Sequence, residues 1–139
     1  IDHGLKRIGL AVSDETGLIA RELVILKRKS NADDFRRLNN IAAEQRVVAF
    51  VVGIPTSYEA MPGVISQADK VRNWVERFAE TTSLPFIMWD EQLTSVDARE
   101  LAYQKRRKQS DPIDDLAARL ILQSYLDALS DGLAEPPPK

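Results

Sequence analysis

Large apolar and small side chains alternate in the segment RIGLAVS, residues 7–13. This alternation is typical of a strand, and the small residues leave one of its two faces nearly bare. Another element is therefore expected to pack closely on that face. A turn signal at 14–17 separates this strand from a second one, which we predict over 20–26.

Helical and strand patterns alternate along the rest of the chain. The two most continuous apolar runs, 47–54 and 84–89, indicate strands that are covered on both faces, as in a parallel sheet. This order predicts a three-layer α/β domain with a mixed sheet. The predicted helices are one from Asp33 capped by Ser30 or Asn31, one through 68–78, one opened by Thr94, and one opened by Asp111 that ends near Gly132.

The length and composition fit one domain. The chain has 139 residues, of which 44% are hydrophobic and 29% are charged, which is enough for one core but not for two. We predict a single domain over 1–132 and a disordered tail over 133–139, because the prolines of the tail cannot continue the last helix. The sequence opens at Ile1, directly before a motif typical of a strand end, so we expect further residues upstream.

Positive and negative charges nearly balance. There are 19 lysines and arginines against 21 acids, a formal net charge of −2, so a nucleic-acid site would have to be a local patch. With no cysteine and one histidine, disulfide scaffolds, thiolate zinc sites and multi-histidine metal sites are excluded. No apolar run approaches the roughly 20 residues of a membrane span, and no signal-peptide pattern is present. We expect a cytoplasmic protein without a membrane partner.

A carboxylate, a glycine turn and two cations follow one another at the start of the chain. Asp2 lies at a predicted strand end, and Lys6 and Arg7 precede the next strand. Glycine and charged residues also dominate ordinary turns, so a hairpin with a polar tip explains this pattern equally well. His3 is expected to be exposed beside the carboxylate, and we assign it no catalytic role.

Further acids follow a strand and begin a helix. Asp90 and Glu91 leave a buried strand just before Thr94, whose hydroxyl either caps the next helix or contacts an anion. Asp114 lies in the first turn of the last helix, where the helix dipole alone already favours an acid. Three oxygen ligands in a chain without cysteine suit Mg²⁺ or Mn²⁺ rather than zinc. The hydrophobic periodicity of the sequence does not show whether these acids lie close together in the fold.

Local positive charge comes from the three cations at 27–29 and from a run of four, namely Lys105, Arg106, Arg107 and Lys108. A solvated helix face is the ordinary interpretation of such a run. In a protein that approaches a polyanion, the same run is also a reasonable clamp. The aromatic residues Trp74, Phe78 and Trp89 are predicted to belong to the core rather than to stack on bases.

Four segments together resemble one known family, the YqgF/RuvX-like proteins, also called Holliday junction resolvase-like proteins or pre-ribosomal RNA nucleases. Their order and spacing match the family, and the resemblance spans essentially the whole chain except the tail. The segments are DHGLKRIGLAVSD at 2–14, VVGIPTSYEAMPG at 51–63, DEQLTS at 90–95 and IDDLAARLILQSYLD at 113–127. One departure is Gln92, where the family commonly has arginine.

The resemblance implies a ribonuclease H-like three-layer fold with a central mixed five-stranded sheet, in which the first strand lies beside the strand at 84–89. It also implies a metal-dependent nuclease in which Asp2, Glu91 and Asp114 are catalytic and bind Mg²⁺ or Mn²⁺. For this nuclease, the candidate nucleic-acid-binding residues are Lys6, Arg7, Thr94, Lys105, Arg106, Arg107 and Lys108.

Several functions remain open at this point. The family implies processing of the 5′ end of pre-16S rRNA, a structured RNA, whereas the same site would equally serve a resolvase acting on branched DNA. A non-catalytic nucleic-acid-binding or transcription-associated module is the alternative from another class. Actin-like ATPases share the Asp-x-Gly turn but need two such domains. A homodimer is a further expectation, because junction substrates have two-fold symmetry.

Overall fold

The described part of the chain folds into five strands and four helices. A computed structural model describes residues 1–55, 65–91, 94–108 and 110–138, without the side chains of residue 91 and residues 94–98. The elements in chain order are β1 (Asp2–His3), β2 (Arg7–Ser13), β3 (Ala20–Lys27), α1 (Asn31–Gln45), β4 (Phe50–Pro55), α2 (Gln67–Ala79), β5 (Phe86–Glu91), α3 (Thr94–Gln104) and α4 (Asp114–Ser130).

The strands form an antiparallel sheet in the order β1-β2-β3 and a parallel pair, β4-β5. Two hydrogen bonds at Ile1 link them: its amino group donates to the Val51 carbonyl at 2.7 Å, and the Gly53 N–H donates to the Ile1 carbonyl at 3.0 Å. These bonds follow the pattern of a parallel pair. The five expected strands are thus present in two linked sheets, and not in one continuous ladder.

The strand β4 lies between Ile1 and β5. Backbone groups of Val51 and Gly53 point toward Ile1, whereas the Phe50 N–H donates to the Pro85 carbonyl at 2.9 Å on the opposite edge. The expectation that the first strand lies beside the strand at 84–89 is therefore wrong. The strand next to the start of the chain is β4, the apolar strand predicted over 47–54, which is hydrogen-bonded to Ile1 on one edge and to Pro85 on the other.

Two helices cover one face of the sheets. Phe35 of α1 stacks on Phe78 of α2 with ring centroids 5.0 Å apart, and both pack with Ile8 and Val52 from the strands. Trp74 belongs to the same cluster and is buried. The prediction that Trp74 and Phe78 are core residues is confirmed.

The opposite face is covered by α4. Tyr125 and its neighbour Leu126 pack against Val51, Ile87 and Trp89. The helix α3 packs in turn on α4 in a small cluster that contains Ala102, Leu116 and Ala117. The fold is thus a mixed α/β arrangement in which the strands lie between two helical layers.

Most predicted boundaries are close to the observed ones. The strand predicted over 7–13 is observed with those bounds, and the Ser30 hydroxyl caps α1 by accepting from the Asp33 N–H at 3.1 Å. Asp111 does not open the last helix. Its carboxylate accepts from the Lys108 N–H at 2.8 Å, and α4 begins at Asp114 with no side-chain cap.

The segment that follows α4 contacts the helix. The Tyr125 hydroxyl donates to the Glu135 carbonyl at 2.7 Å, and Ala134 packs against the Tyr125 cluster. None of the helices in the described ranges is long and apolar enough to cross a membrane.

Candidate functional site

The site begins with the position of Asp2 on β1. Ile1 belongs to the core under α1 and α2, and the ring of His3 lies 4.5 Å from that of Trp74 on the same side. Because side chains alternate along a strand, Asp2 lies on the other face, toward α4. In the ladder, Asp2 is directly opposite Gly9 of β2.

Gly9 allows the start of α4 to lie directly on the strand. A Cβ atom at this position would collide with the main-chain carbonyl of Asp114 and would lie 2.8 Å from the Asp115 nitrogen. This close approach confirms the prediction of a bare face on which another element packs. It brings the first turn of α4, and Asp114 with it, next to the face that carries Asp2.

Asp114 is paired with one of the predicted phosphate-binding cations. The Nε–H of Arg7 donates to Asp114 Oδ2 at 2.9 Å, with 18% of the Asp114 side chain and 45% of the Arg7 side chain exposed. A candidate metal ligand and a candidate substrate ligand therefore contact each other. Lys6 is exposed in the same turn.

The third predicted carboxylate is located only by its backbone. Glu91 is the last residue of β5, opposite Pro55 of β4. The side chains of Glu91 and Thr94, and all of Gln92, lie outside the described residues. Among the side chains that are described, no group of three acids or histidines could hold a metal. The completion of the site by Glu91 stays a prediction.

His3 is not exposed, contrary to expectation. It is half-buried against Trp74, and both ring nitrogens are inaccessible and have no hydrogen-bond partner within the described part of the chain. Burial, followed by the nearby Arg28 cation, lowers the pKa of His3 to about 4. The side chain is thus a neutral packing element behind the Asp2 face.

The basic run divides into two pairs. Lys105 Nζ lies 2.8 Å from Glu22 Oε1, and Arg107 binds the Asp115 carboxylate with two bonds of 2.8 and 3.0 Å. Arg106 and Lys108 are exposed and form no ion pair with the rest of the described chain. Two of the four cations of the predicted clamp are therefore not paired with an acid of the described residues.

Glu22 of β3 is a residue that the sequence did not single out. It accepts from Lys105 of the α3–α4 connection and from Arg119 Nη1 of α4, the latter at 3.0 Å. Burial opposes its ionisation, but these hydrogen bonds outweigh burial and lower the pKa of Glu22 to about 2. Nothing in the local sequence distinguishes this glutamate from an exposed strand residue, because its partners are distant in the chain.

A cavity of about 550 Å³ lies at the opposite end of the strands from Asp114. It is lined largely by apolar side chains from the end of β2, the start of β4 and the C-terminal half of α4, among them Val12, Phe50 and Leu126. Neither Asp2 nor Asp114, the two predicted catalytic residues whose side chains are described, lines it. We locate the candidate site at the carboxyl ends of β1 and β5 instead, where ligands bind in sheets of this kind.

The sequence is similar to one protein family along nearly its full length. A family model described as RuvX, Holliday junction resolvase, matches residues 1–128. A protein of Thermoanaerobacter pseudethanolicus named "Putative pre-16S rRNA nuclease" is 43% identical over 132 residues, which cover 92% of this chain and 94% of that protein. A protein of Symbiobacterium thermophilum with the same name is 39% identical, covering 99% of this chain and 94% of its own length.

Two solved structures share the fold. RuvC of T. thermophilus, in complex with a Holliday junction substrate, has a TM-score of 0.58 at 17% identity and covers 97% of this chain and 96% of its own. Fowlpox virus resolvase, in complex with Holliday junction DNA, has a TM-score of 0.52 at 15% identity over 92% of this chain and 95% of its own. At these identities the likeness concerns the fold alone, and it agrees with the expected ribonuclease H-like class.

Proposed function

The chain belongs to the RuvX family, and from that premise we propose that it is a divalent-metal-dependent nuclease that hydrolyses phosphodiester bonds in structured nucleic acid. The observation that carries the proposal is the apposition of Asp2 and the first turn of α4 across Gly9. Two acids 112 positions apart are thereby delivered to one edge of the sheets. A binding module would not need this arrangement.

The donors fit Mg²⁺ or Mn²⁺. Carboxylate oxygens are the ligands that these hard cations prefer, and the Asp114 carboxylate already binds a cationic group in the form of the Arg7 guanidinium. We propose that Asp2, Asp114 and Glu91 hold the metal. When bound, the metal would activate the attacking water and stabilise the leaving oxygen.

The remaining residues orient the Asp114 carboxylate or bind the phosphates of the substrate. Arg7 fixes the carboxylate of Asp114 through Nε, and its exposed guanidinium, together with Lys6, can donate to backbone phosphates of the substrate. Thr94 and the exposed cations Arg106 and Lys108 extend this phosphate contact in the proposal. Such contacts position a nucleic acid without reading its sequence.

For the substrate we propose the 5′ end of pre-16S rRNA. Two relatives named "Putative pre-16S rRNA nuclease" are 43% and 39% identical to this chain, whereas RuvC in complex with a Holliday junction substrate is 17% identical. Resolution of branched DNA is the second candidate, because the family description and both solved structures concern Holliday junctions. The phosphate chemistry is common to both, so only an assay separates them.

A cleavage assay tests the proposal. Wild type, Asp2→Asn and Asp114→Asn are incubated with an RNA spanning the 5′ end of pre-16S rRNA, with duplex RNA and with four-way DNA junctions, in Mg²⁺, Mn²⁺ or EDTA. Asp131→Asn is the matched control, since it removes the same charge from the exposed C-terminal end of α4. We expect metal-dependent cleavage that both site variants lose and the control keeps.

The pattern of products distinguishes the candidates. Cleavage of the RNA but not of the junctions supports rRNA processing, and the reverse supports junction resolution. If wild type binds nucleic acid but cleaves none of these substrates with either metal, the nuclease proposal is overturned and the binding module is favoured. Light scattering on the same samples would test the expected homodimer.

A further inference from the structure

Tyr103 is a large aromatic side chain that contributes little to any core. It lies in the last turn of α3 and is 80% exposed. The phenylalanines of this protein and Trp74 pack with one another under α1 and α2, so an aromatic ring left this open is unusual within the described part of the chain. An exposed ring beside cations is the arrangement on which proteins stack unpaired bases.

The end of α3 places Arg106 beside this ring, and the backbone of Arg106 is strained there. The Arg106 N–H donates to the Tyr103 carbonyl at 3.0 Å and the Arg107 N–H donates to the Ala102 carbonyl at 2.9 Å, which together form a Schellman motif. Arg106 occupies its left-handed position, with φ of 60°. Glycine adopts this conformation without a steric cost, whereas arginine is strained in it, so Arg106→Gly changes the side chain without disturbing the cap.

A shallow hollow of about 540 Å³ connects the ring and the cations. It is lined by Glu100, Tyr103, Gln104, Arg106, Arg107 and Lys108. Glu100 is the acid among these lining residues, and Arg107 is neutralised by Asp115. Arg106 and Lys108 therefore leave the hollow with positive charge that is available to a ligand.

The hollow is fixed to the start of α4. Arg107 binds the Asp115 carboxylate through two nitrogens and also donates to the Pro112 carbonyl at 3.3 Å. Asp115 is buried and directly follows Asp114 in the first turn of the helix. A ligand in the hollow would consequently be held next to the element that carries Asp114.

We propose that Tyr103, Arg106 and Lys108 form a subsite for one unpaired nucleotide of the substrate, with its base stacked on Tyr103 and its phosphate bound by Arg106 and Lys108. This subsite rests on the proposed nuclease function and adds a preference for single-stranded segments near the cleavage site. A base within a duplex is already stacked on its neighbours and cannot reach the ring. Stacking requires no particular base.

Binding without metal tests the subsite separately from cleavage. The probes are an RNA hairpin with a single-stranded tail and the same hairpin with a blunt end, each closed by a non-nucleotide linker in place of a loop, so that the tail carries the unpaired nucleotides. Their affinities are measured in EDTA by fluorescence anisotropy. We expect Tyr103→Ala to weaken binding of the tailed hairpin about fivefold or more, Tyr103→Phe to keep it, and neither to affect the blunt hairpin. A 2-aminopurine in the tail should be quenched by wild type and by Tyr103→Phe, but not by Tyr103→Ala.

The left-handed arginines provide a matched pair of variants. Arg46 ends α1 at φ of 55° with the same kind of cap, and it lines the cavity at the other end of the molecule. Both Arg106→Gly and Arg46→Gly should raise the melting temperature, because glycine relieves the strain. Only Arg106→Gly should weaken binding of the tailed hairpin. Equal affinities for the two variants would overturn the role of Arg106.

The outcomes separate this inference from the nuclease proposal. If wild type cleaves and Tyr103→Ala binds tailed and blunt hairpins as wild type does, the subsite is wrong and the nuclease stands. If Tyr103→Ala loses the tailed hairpin selectively while wild type cleaves nothing with either metal, the subsite is supported and the nuclease proposal fails.

Discussion

The guanidinium of Arg7 and the carboxylate of Asp114 meet at 2.9 Å although they are 107 positions apart in the chain. The contact joins the start of β2 to the first turn of α4. It places a positive charge beside the carboxylate that we propose as a metal ligand. Arg7 and a bound metal would therefore compete for the same carboxylate, which makes Arg7 a positioning residue with a measurable influence on metal affinity.

Replacing Arg7 should change metal and substrate binding in opposite directions. In Arg7→Gln, Asp114 is no longer neutralised, so we expect Mn²⁺ to bind more tightly by up to about fivefold, which corresponds to the roughly 1 kcal/mol of a partly exposed ion pair. Binding of nucleic acid should weaken, because a phosphate donor is lost. Mn²⁺ titration followed by electron paramagnetic resonance and anisotropy in EDTA measure the two effects. Weaker Mn²⁺ binding would contradict the proposed competition.

Gly9 should tolerate no side chain. In Gly9→Ala, the new Cβ meets the Asp114 carbonyl, and both partners are backbone that cannot rotate away. We expect a loss of stability of about 1–3 kcal/mol, typical of overpacking, and a displaced Asp114. Urea unfolding measures the first effect and Mn²⁺ affinity the second. Ser13→Ala, at the far end of the same strand, is the control and should leave both quantities unchanged.

Local patterns in the sequence with a direct structural meaning predicted the structure correctly. The bare face of the strand at 7–13 predicted a close approach, and Gly9 against α4 confirms it. The Ser30 cap is local in the same sense, because its hydroxyl bonds a backbone group three residues away.

The sequence could not reveal contacts between distant residues. Lys105 and Arg106 look alike in a run of four cations, yet one is paired with Glu22 of β3 and the other points outward. His3 beside an acid looks like a polar turn residue, yet its ring packs on Trp74. The predicted neighbour of the first strand was wrong for the same reason. Two buried apolar strands look equivalent in sequence, and only their hydrogen bonds show which one lies next to Ile1.

His3 predicts a loss of stability at mildly acidic pH. Its pKa falls from 6.5 to about 4 in the folded protein, so between these values the unfolded chain binds a proton that the folded chain does not. The titration of His3 therefore leaves the free energy of unfolding unchanged above pH 6.5 and lowers it as the pH falls toward 4, by an amount on the order of 3 kcal/mol at most. Urea unfolding of His3→Phe, which keeps a ring against Trp74, should show a flatter profile in this window.

The lowered pKa of Glu22 predicts a second loss of stability, at more acidic pH. Its pKa is lowered from 4.5 to about 2, so its contribution to stability is present above pH 4.5 and disappears as the pH falls toward 2. Glu22→Gln should be less stable than wild type at pH 7, and the difference should shrink between pH 4.5 and 2. Thermal unfolding across this range measures it. A difference that does not change with pH would show that the two cations do not stabilise the charged form.

The two halves of the basic run should respond differently to the same substitution. Lys108→Met removes a cation that faces solvent, so we expect nucleic-acid affinity to fall, the slope of log K against log salt to drop by about one, and stability to be unchanged. Lys105→Met breaks the pair with Glu22, so we expect it to lower the melting temperature while leaving the salt slope close to that of wild type. Salt titrations of binding and thermal unfolding of both variants distinguish these roles. If both variants reduce the slope equally, Lys105 leaves Glu22 to bind phosphate, and the division of the run into structural and binding cations is wrong.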